Sequence, residues 1–393
     1  MQRERKVVLV GPIAPFKGGI SAFNTSLANA FTDAGHHVQA IAWHNGMIGV
    51  PRSEQLDSRM PLHDSARYLL KWYSPRSWLY AGMHAAQYQP DLLIVHWAFP
   101  EAAPIYAVIN AVVKRRSPAT EIVYIVHNAT PHEPHISFRF MEQLCFRNVS
   151  RFMVHSIADK TQLSQKIPEA QIHSGFHPVY DRYSKADHNA NKRPSKPEFA
   201  VWISQNTGHP MVLFFGYVKP YKGLDLLLQA LKVFGKARLI VAGQFSKPCE
   251  YLREQADSYG LSKRIFWLDR YIADDEVTDI FALADIVALP YRHASVSGIA
   301  SIALAFGVPV VATGVGGLSE SIENGSTGYV VPPGDPNRLA QALEKAYLER
   351  NRMKIAIRQT RDTKSWNRYC EILLSWAKLP TVLATKNQAN QKR

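Results

Sequence analysis

The chain has 393 residues, 46% apolar and 20% charged, the balance of a soluble globular protein long enough to bury a core without staples. Its three cysteines, Cys145, Cys249 and Cys370, are scattered and form no CxxC, so neither a disulfide framework nor a zinc site is indicated and a reducing compartment fits. The formal net charge of +14 favours an anionic partner: a nucleotide, a nucleic acid or an anionic lipid surface.

The chain begins with a basic head and the apolar run "VVLV" (7–10), too short for the core of a signal peptide. "KVVLVGP" (6–12) reads as a buried strand entering a glycine loop. "GISAFNTSLANAFTDAG" (19–35) then shows helical spacing of Ile20, Phe23, Leu27 and Phe31 and stops at Gly35. The intervening "GPIAPFKGG" (11–19) is not a Walker loop, because the GK[ST] ending is absent. Gly18 and Gly19 read instead as part of a cleft lining. "HHVQAIAW" (36–43), "PDLLIVHW" (90–97), "TEIVYIVHN" (120–128) and "RFMVHS" (151–156) are further strands, with helical stretches such as 101–115 between them. Such alternation predicts a parallel sheet with helices on both faces.

Two stretches interleave basic and aromatic side chains. In 66–84 they are Lys71 and Arg76 among Trp72, Tyr73, Trp78 and Tyr80; in 137–152 they are Arg139, Arg147 and Arg151 among phenylalanines. Amphipathic helices of this composition can lie on an anionic membrane; equally, the aromatics can be core and the basic groups solvated. His127 ends a strand at its carboxyl side, where a cleft would lie, although a histidine hydrogen-bonded beneath a loop gives the same pattern. His127, His132, Glu133 and His135 do not read as a metal site: Pro131 and Pro134 bar a regular helix, and the spacing matches no zinc pattern.

The polar stretch 181–210 reads as a linker. A second α/β series follows, with strands at "MVLFFG" (211–216), "ARLIVAG" (237–243), "RIFWLD" (264–269), "DIVALP" (285–290) and "VPVVAT" (308–313). The expected organisation is an N-terminal domain over 1–180, the linker over 181–210 and a C-terminal domain over 211–360. A C-terminal helix over 361–380, packing back toward the N-terminal domain, and a disordered basic tail over 381–393 complete it. The fold class is α/β: two Rossmann-like domains facing a central cleft.

Two segments of the second half carry site character. "FFGYVKPYKGLDLLLQAL" (214–231) is a strand, a basic loop and a helix, an arrangement that holds phosphate at free amides, with Lys222 adding a point charge. An ordinary loop with solvated lysines is the competing reading. In "YRHASVSGIASIALAFGVPVVATGVGGLSE" (291–320), helical spacing predicts an inner face of Ile299, Ile302, Ala303 and Phe306. Gly307 and Pro309 interrupt this apolar run, so it is not a membrane span. Ser297 and Gly298 stand where the helix begins, and Gly316 and Gly317 allow close backbone approach beyond the next strand.

These residues resemble the nucleotide-sugar glycosyltransferases of family 4. That family has a G-R-x-x-x-x-K-G loop, a YxxDxE…AD…PS stretch and a G-x-P-V-V-A-T-x-x-G-G-x-x-E segment. The corresponding segments here are "GYVKPYKG" (216–223), "YIADDEVTDIFALADIVALPY" (271–291) and "GVPVVATGVGGLSESIENGSTG" (307–328). "PFKGGISAF", "DLLIVHWAFP", "VHNATPHE", "VHS" and "HPVYD" extend the likeness over about residues 5–375. Two departures stand out. The family's paired glutamates correspond to Ala294 and Ile302, as in a variant branch that lacks both, and Tyr217 replaces the loop arginine, with Lys219 near enough in sequence to supply its charge.

The resemblance implies the GT-B fold and a retaining hexosyltransferase. Such an enzyme moves a sugar from a UDP- or GDP-sugar donor to a glycan or lipid-linked acceptor, in cell-surface polysaccharide synthesis, with neither cofactor nor metal. By the same resemblance His127 stands beside the donor sugar, and Lys222 and Lys219 face the leaving diphosphate with Gly216 and the amides of Ser297 and Gly298. Glu320, after Gly316 and Gly317, would contact a donor hydroxyl or ribose. The expected location is the cytoplasm, at the inner face of the cell membrane, with no nucleic-acid partner, since the basic residues are dispersed. A non-catalytic donor-binding protein and a nucleotide-sugar epimerase of the same fold are the alternatives.

Overall fold

The computed structural model describes residues 3–44, 55–57, 60–98, 100–127, 142–143, 145–146, 149, 151–180 and 197–379. The chain divides into two compact units, Met1–Phe176 with Trp366–Arg393, and His177–Ser365.

The first unit is built on a parallel sheet of β1 (Lys6–Val10), β2 (His37–Trp43), β3 (Ala66–Leu70), β4 (Leu92–Trp97), β5 (Glu121–Val126), β6 (Arg151–Val154) and β7 (Gln171–Ser174). Their order is β3-β2-β1-β4-β5-β6-β7. Its central strands are apolar on both sides because both sides are covered: Val7 to Val10 and Leu92 to Val95 are all fully buried. The covering helices are α1 (Gly19–Asp33), α2 (Pro75–Gln87), α3 (Ala103–Arg116) and α4 (Ile157–Lys166). The stretch 66–84, expected as amphipathic helix, is the edge strand β3, a turn, and then α2. Pro75 occupies the first turn of α2, and the Ser74 hydroxyl accepts from the Ser77 amide, so the helix starts where these two residues permit it.

The second unit holds β8 (Met211–Phe215), β9 (Arg238–Ala242), β10 (Ile265–Leu268), β11 (Ile286–Leu289), β12 (Val310–Thr313) and β13 (Gly328–Val331). These strands lie in the order β10-β9-β8-β11-β12-β13. Its helices are α5 (Pro197–Gln205), α6 (Leu224–Val233), α7 (Leu252–Ser258), α8 (Asp274–Ala282), α9 (Gly298–Phe306) and α10 (Pro336–Thr363). The linker expected over 181–210 therefore ends in α5, which belongs to this unit, and the division between units falls earlier, at Phe176 and His177.

In both sheets the chain direction of growth reverses between two adjacent strands: β1 and β4 in the first, β8 and β11 in the second. Ligands of open α/β sheets bind at such switch points, outside the carboxyl ends of the strands. The loops after these four strands are thus the ones to inspect.

The last helix, α11 (Trp366–Trp376), packs on α1 of the first unit. Trp366 and Tyr369 set their rings edge-on to Phe23, at 4.9 and 5.7 Å between centroids. Arg151 in β6 donates to the Ala377 carbonyl at 2.9 Å. Tyr369 and Phe23 are both buried, and each such aromatic contributes about 2–3 kcal/mol by leaving water.

Candidate donor site and histidine cluster

Loop 216–223 leaves β8 and loop 290–297 leaves β11, so the switch point brings both to one place. They are locked together. The Arg292 guanidinium pairs with the Asp225 carboxylate through two bonds of 2.9 and 2.6 Å and donates to the Pro220 carbonyl, and the Arg292 amide donates to the Tyr221 carbonyl. Gly223 has φ +68°, and a Cβ there would sit 2.0 Å from the Pro290 carbonyl oxygen. Only glycine meets both conditions.

This bracing holds Lys222 inward. Its side chain is 7% exposed, and its ammonium stands 5.6 Å from the centre of the Tyr291 ring. Among the described residues no acid lies within ion-pair distance of it. Burial pushes its pKa down to about 8, and the positive charge of Lys219 pushes in the same direction. A buried cation without a counter-ion is unfavourable unless an anion completes it. A Cβ added to Gly216 would lie 3.0 Å from the Lys222 ammonium and 3.1 Å from Ile299, so glycine keeps open the space between that cation and the start of α9.

Helix α9 begins at Gly298 after Ser297, which is buried and whose side chain makes no capping bond. The first-turn amides of a helix have no acceptor within it, and the helix dipole adds positive potential there. His177 lies beside this turn. Its Nδ1 is 2.9 Å from the Ser301 hydroxyl and 3.0 Å from the Pro178 carbonyl, and burial lowers its pKa to about 4. The body of α9 differs from its sequence reading. Ala300, Ser301, Ala303, Leu304 and Ala305 are buried, whereas Ile299, Ile302 and Phe306 are half-buried, because Ile299 reaches toward Gly216 and Phe306 stacks on Phe281 of α8. Gly316 has φ +48°, and a Cβ there would meet the Ala294 carbonyl at 1.8 Å, which ties loop 314–321 to loop 290–297. Gly317 is buried in the same turn, and Glu320 is exposed at its end.

In the first unit, His96 near the end of β4 and His127 just past β5 are brought side by side by parallel pairing, and the His127 amide donates to the Trp97 carbonyl. His96 Nδ1 is 3.0 Å from His127 Nε2, with the rings stacked at 5.3 Å. Phe23 of α1 presents its ring to both, and to His155 as well. His155 Nε2 bonds to the Tyr369 hydroxyl of α11 at 2.9 Å. Gly18 and Gly19 open α1 one turn ahead of Phe23; both are exposed, and a Cβ on either would meet nothing within 4 Å.

Gly216, Lys222, Ser297 and Gly298 thus converge with Gly316 and Gly317 in the second unit. Lys219 is exposed in the same loop, its ammonium 5.6 Å from the Tyr217 ring. Gly18, Gly19 and His127 belong to the first unit. Sequence reading did not find Tyr291, Arg292, His177, His96 or His155. "PYRH", "HPVYD", "VHW" and "VHS" contained them, but only the register between strands shows which ones meet. His132, Glu133 and His135, and most of 137–152, lie outside the described residues. Among the described residues no group of three or more His, Cys, Asp or Glu is placed to hold a metal ion. No described helix is long and apolar enough to cross a membrane.

Residues 209–349 match the family described as glycosyl transferases group 1. The D-inositol 3-phosphate glycosyltransferase of Corynebacterium glutamicum is 30% identical over 200 residues, 49% of this chain and 44% of that protein. The same-named protein of Rhodococcus jostii is 31% identical over 44% of this chain and 41% of its own length. The matched region therefore spans less than half of these relatives. A glycosyltransferase structure from Rickettsia africae superposes with a TM-score of 0.69 at 18% identity, covering 95% of this chain and 98% of that one. HepE of Anabaena, solved in complex with UDP, gives a TM-score of 0.69 at 17% identity over 94% and 99% of the two chains. The fold is two Rossmann-like α/β domains of the GT-B class.

Proposed function

We propose that the chain, whose residues 209–349 match the glycosyl transferases group 1 family, moves a hexose from a nucleotide diphosphate donor to a hydroxyl acceptor, with retention at the anomeric carbon. The observation that carries this reading is Lys222, a buried ammonium with no acid in ion-pair distance among the described residues, at a sheet switch point and beside the start of α9. A diphosphate supplies the missing negative charge. As the bond to the sugar breaks, charge grows on the leaving phosphate, and a fixed cation in a site shielded from water stabilises that charge without reorganising. In this reading Lys219 adds a second positive charge, and the amides of Ser297 and Gly298 donate to the phosphate oxygens. The backbone at Gly216, Gly316 and Gly317 lets the donor come close, and Glu320 takes a ribose or sugar hydroxyl. Gly18 and Gly19 serve the donor phosphate or the acceptor, and His127 orients the sugar.

The donor is read as a UDP- or GDP-sugar, the first supported by the UDP that HepE carries. The acceptor is read as a glycan or a lipid-linked one, met at the cytoplasmic face of a membrane. Supporting a lipid surface, no acid occurs between Asp64 and Asp91, while Tyr73, Leu79 and Tyr80 are 80%, 47% and 54% exposed among Arg67, Lys71 and Arg76. Arg76 also sits in the first turn of α2, where the helix dipole disfavours a cation. Flotation with anionic vesicles at low salt checks this contact: the protein should rise with them and fail to rise with neutral ones.

The enzymatic test is turnover. Purified protein with a panel of UDP-, GDP- and ADP-sugars should release nucleoside diphosphate once an acceptor is present. Donor binding without turnover over a broad acceptor set would favour a binding protein, and sugar isomerisation without acceptor an epimerase.

A further inference from the structure

We propose that His96 is a positioning residue that fixes the proton of His127 on Nδ1, so that His127 meets the donor sugar as a hydrogen-bond donor and not as a base. The proposal rests on the reading that His127 stands beside that sugar.

The argument starts from burial. His96 is 1% exposed, closed in by the Phe23 ring and by Gly11, where a Cβ would lie 3.0 Å from the His96 Cβ. Among the described residues Nε2 has no hydrogen-bond partner. Burial pushes its pKa down to about 3, so the ring is neutral and carries one proton.

That proton has two possible places. On Nε2 it would be a buried N–H with no acceptor among the described residues, and the 3.0 Å contact would need a proton from His127. On Nδ1 it is donated to His127 Nε2, and only an acceptor lone pair is left unsatisfied. Buried donors without partners are the rarer and costlier case. The favoured arrangement is therefore His96 Nδ1–H donating to His127 Nε2. A neutral His127 then holds its own proton on Nδ1, the opposite of the tautomer favoured in water, and its basic nitrogen is occupied. The near-parallel stacking of the rings, 15° apart, and the edge of Phe23 on His127 keep that orientation.

Two-bond proton–nitrogen spectra of the full-length protein, labelled at histidine, read the tautomer directly. His127 should show Nδ1–H in the wild type and Nε2–H in His96→Leu. In turnover with the donor that works, His96→Leu should lose roughly 10- to 100-fold in kcat with little change in donor KM, as for other residues that orient a functional histidine. His96→Asn, whose amide can donate from nearly the place of Nδ1, should recover most of that loss. Stability runs the other way, since leucine suits the apolar pocket better and should give the higher Tm. Activities that follow the Tm order would overturn the proposal, as would Nε2–H at His127 in the wild type. Full activity in His127→Ala would overturn the premise instead, and it is separable because the tautomer is read on the unliganded wild-type protein.

Discussion

Lys222 shows at the scale of one residue how function and stability oppose each other. Its pKa of about 8 lies below that of a lysine in water, so between those values the unfolded chain binds the extra proton and stability rises with pH. Below about pH 8 the folded state carries the full cost of the buried charge. Lys222→Met removes that cost, and at pH 7 it should raise stability by on the order of 2 kcal/mol, read as a higher midpoint in denaturant titration. The sign for the ligand is the reverse: nucleoside diphosphate affinity of the wild type should weaken as pH climbs through 8, because the ammonium that meets it is lost. Gly298 gives a second residue-scale expectation. A Cβ there would make only ordinary contacts of 3.6–3.8 Å with Tyr180 and His177, so Gly298→Ala should fold with a Tm close to wild type. If the donor phosphate rests on this backbone, calorimetry should nevertheless show weaker nucleotide binding. The lysine was legible in sequence as a loop cation, but its burial was not, because burial comes from Tyr291 and the bracing by Arg292, about 70 residues away in sequence.

Among the elements, the loops after β8 and β11 form one braced unit, and glycine makes the bracing possible. Gly223→Ala should cost roughly 2–4 kcal/mol, since it adds a left-handed backbone penalty to a carbonyl clash at 2.0 Å; the check is a lowered denaturation midpoint. The helix α11 is a comparable device in the first unit. Trp366→Ala removes the ring set against Phe23 and should destabilise that unit by about 3 kcal/mol, with earlier proteolytic cutting as the readout. The central strands of both sheets were legible because they are apolar on both faces and separated by helical periods. β3 was not: it is an edge strand of five residues, half-buried, and its Arg67, Tyr68 and Leu69 blend with the aromatic run that follows. β7 and β13 are four residues each and are similarly submerged in their surroundings. The face of α9 was misread because a helix covered on nearly all sides has no single inner stripe to find.

For the whole molecule, the alternation of strand and helix announced two Rossmann-like sheets, but strand order is not written in any local pattern. The switch points at β1/β4 and β8/β11 follow from long-range pairing, and they place His96, Lys222 and Ser297 at or just beyond the carboxyl ends of switch-point strands, where open α/β sheets bind ligands. The His177–Ser301 contact, across 124 positions, is likewise invisible in sequence. The net charge of +14 is spread over the chain, so it sets a general attraction for anions, whereas in the proposed function the buried Lys222 ammonium sets where the donor diphosphate binds. The most direct measurement of that claim is calorimetric titration of UDP, GDP and ADP into the full-length wild type and Lys222→Met at pH 7. At least one nucleoside diphosphate should bind the wild type and bind the variant tenfold or more weakly, while the variant is no less stable. Equal affinity in the two proteins, or no binding of any of the three to the wild type, would contradict the account.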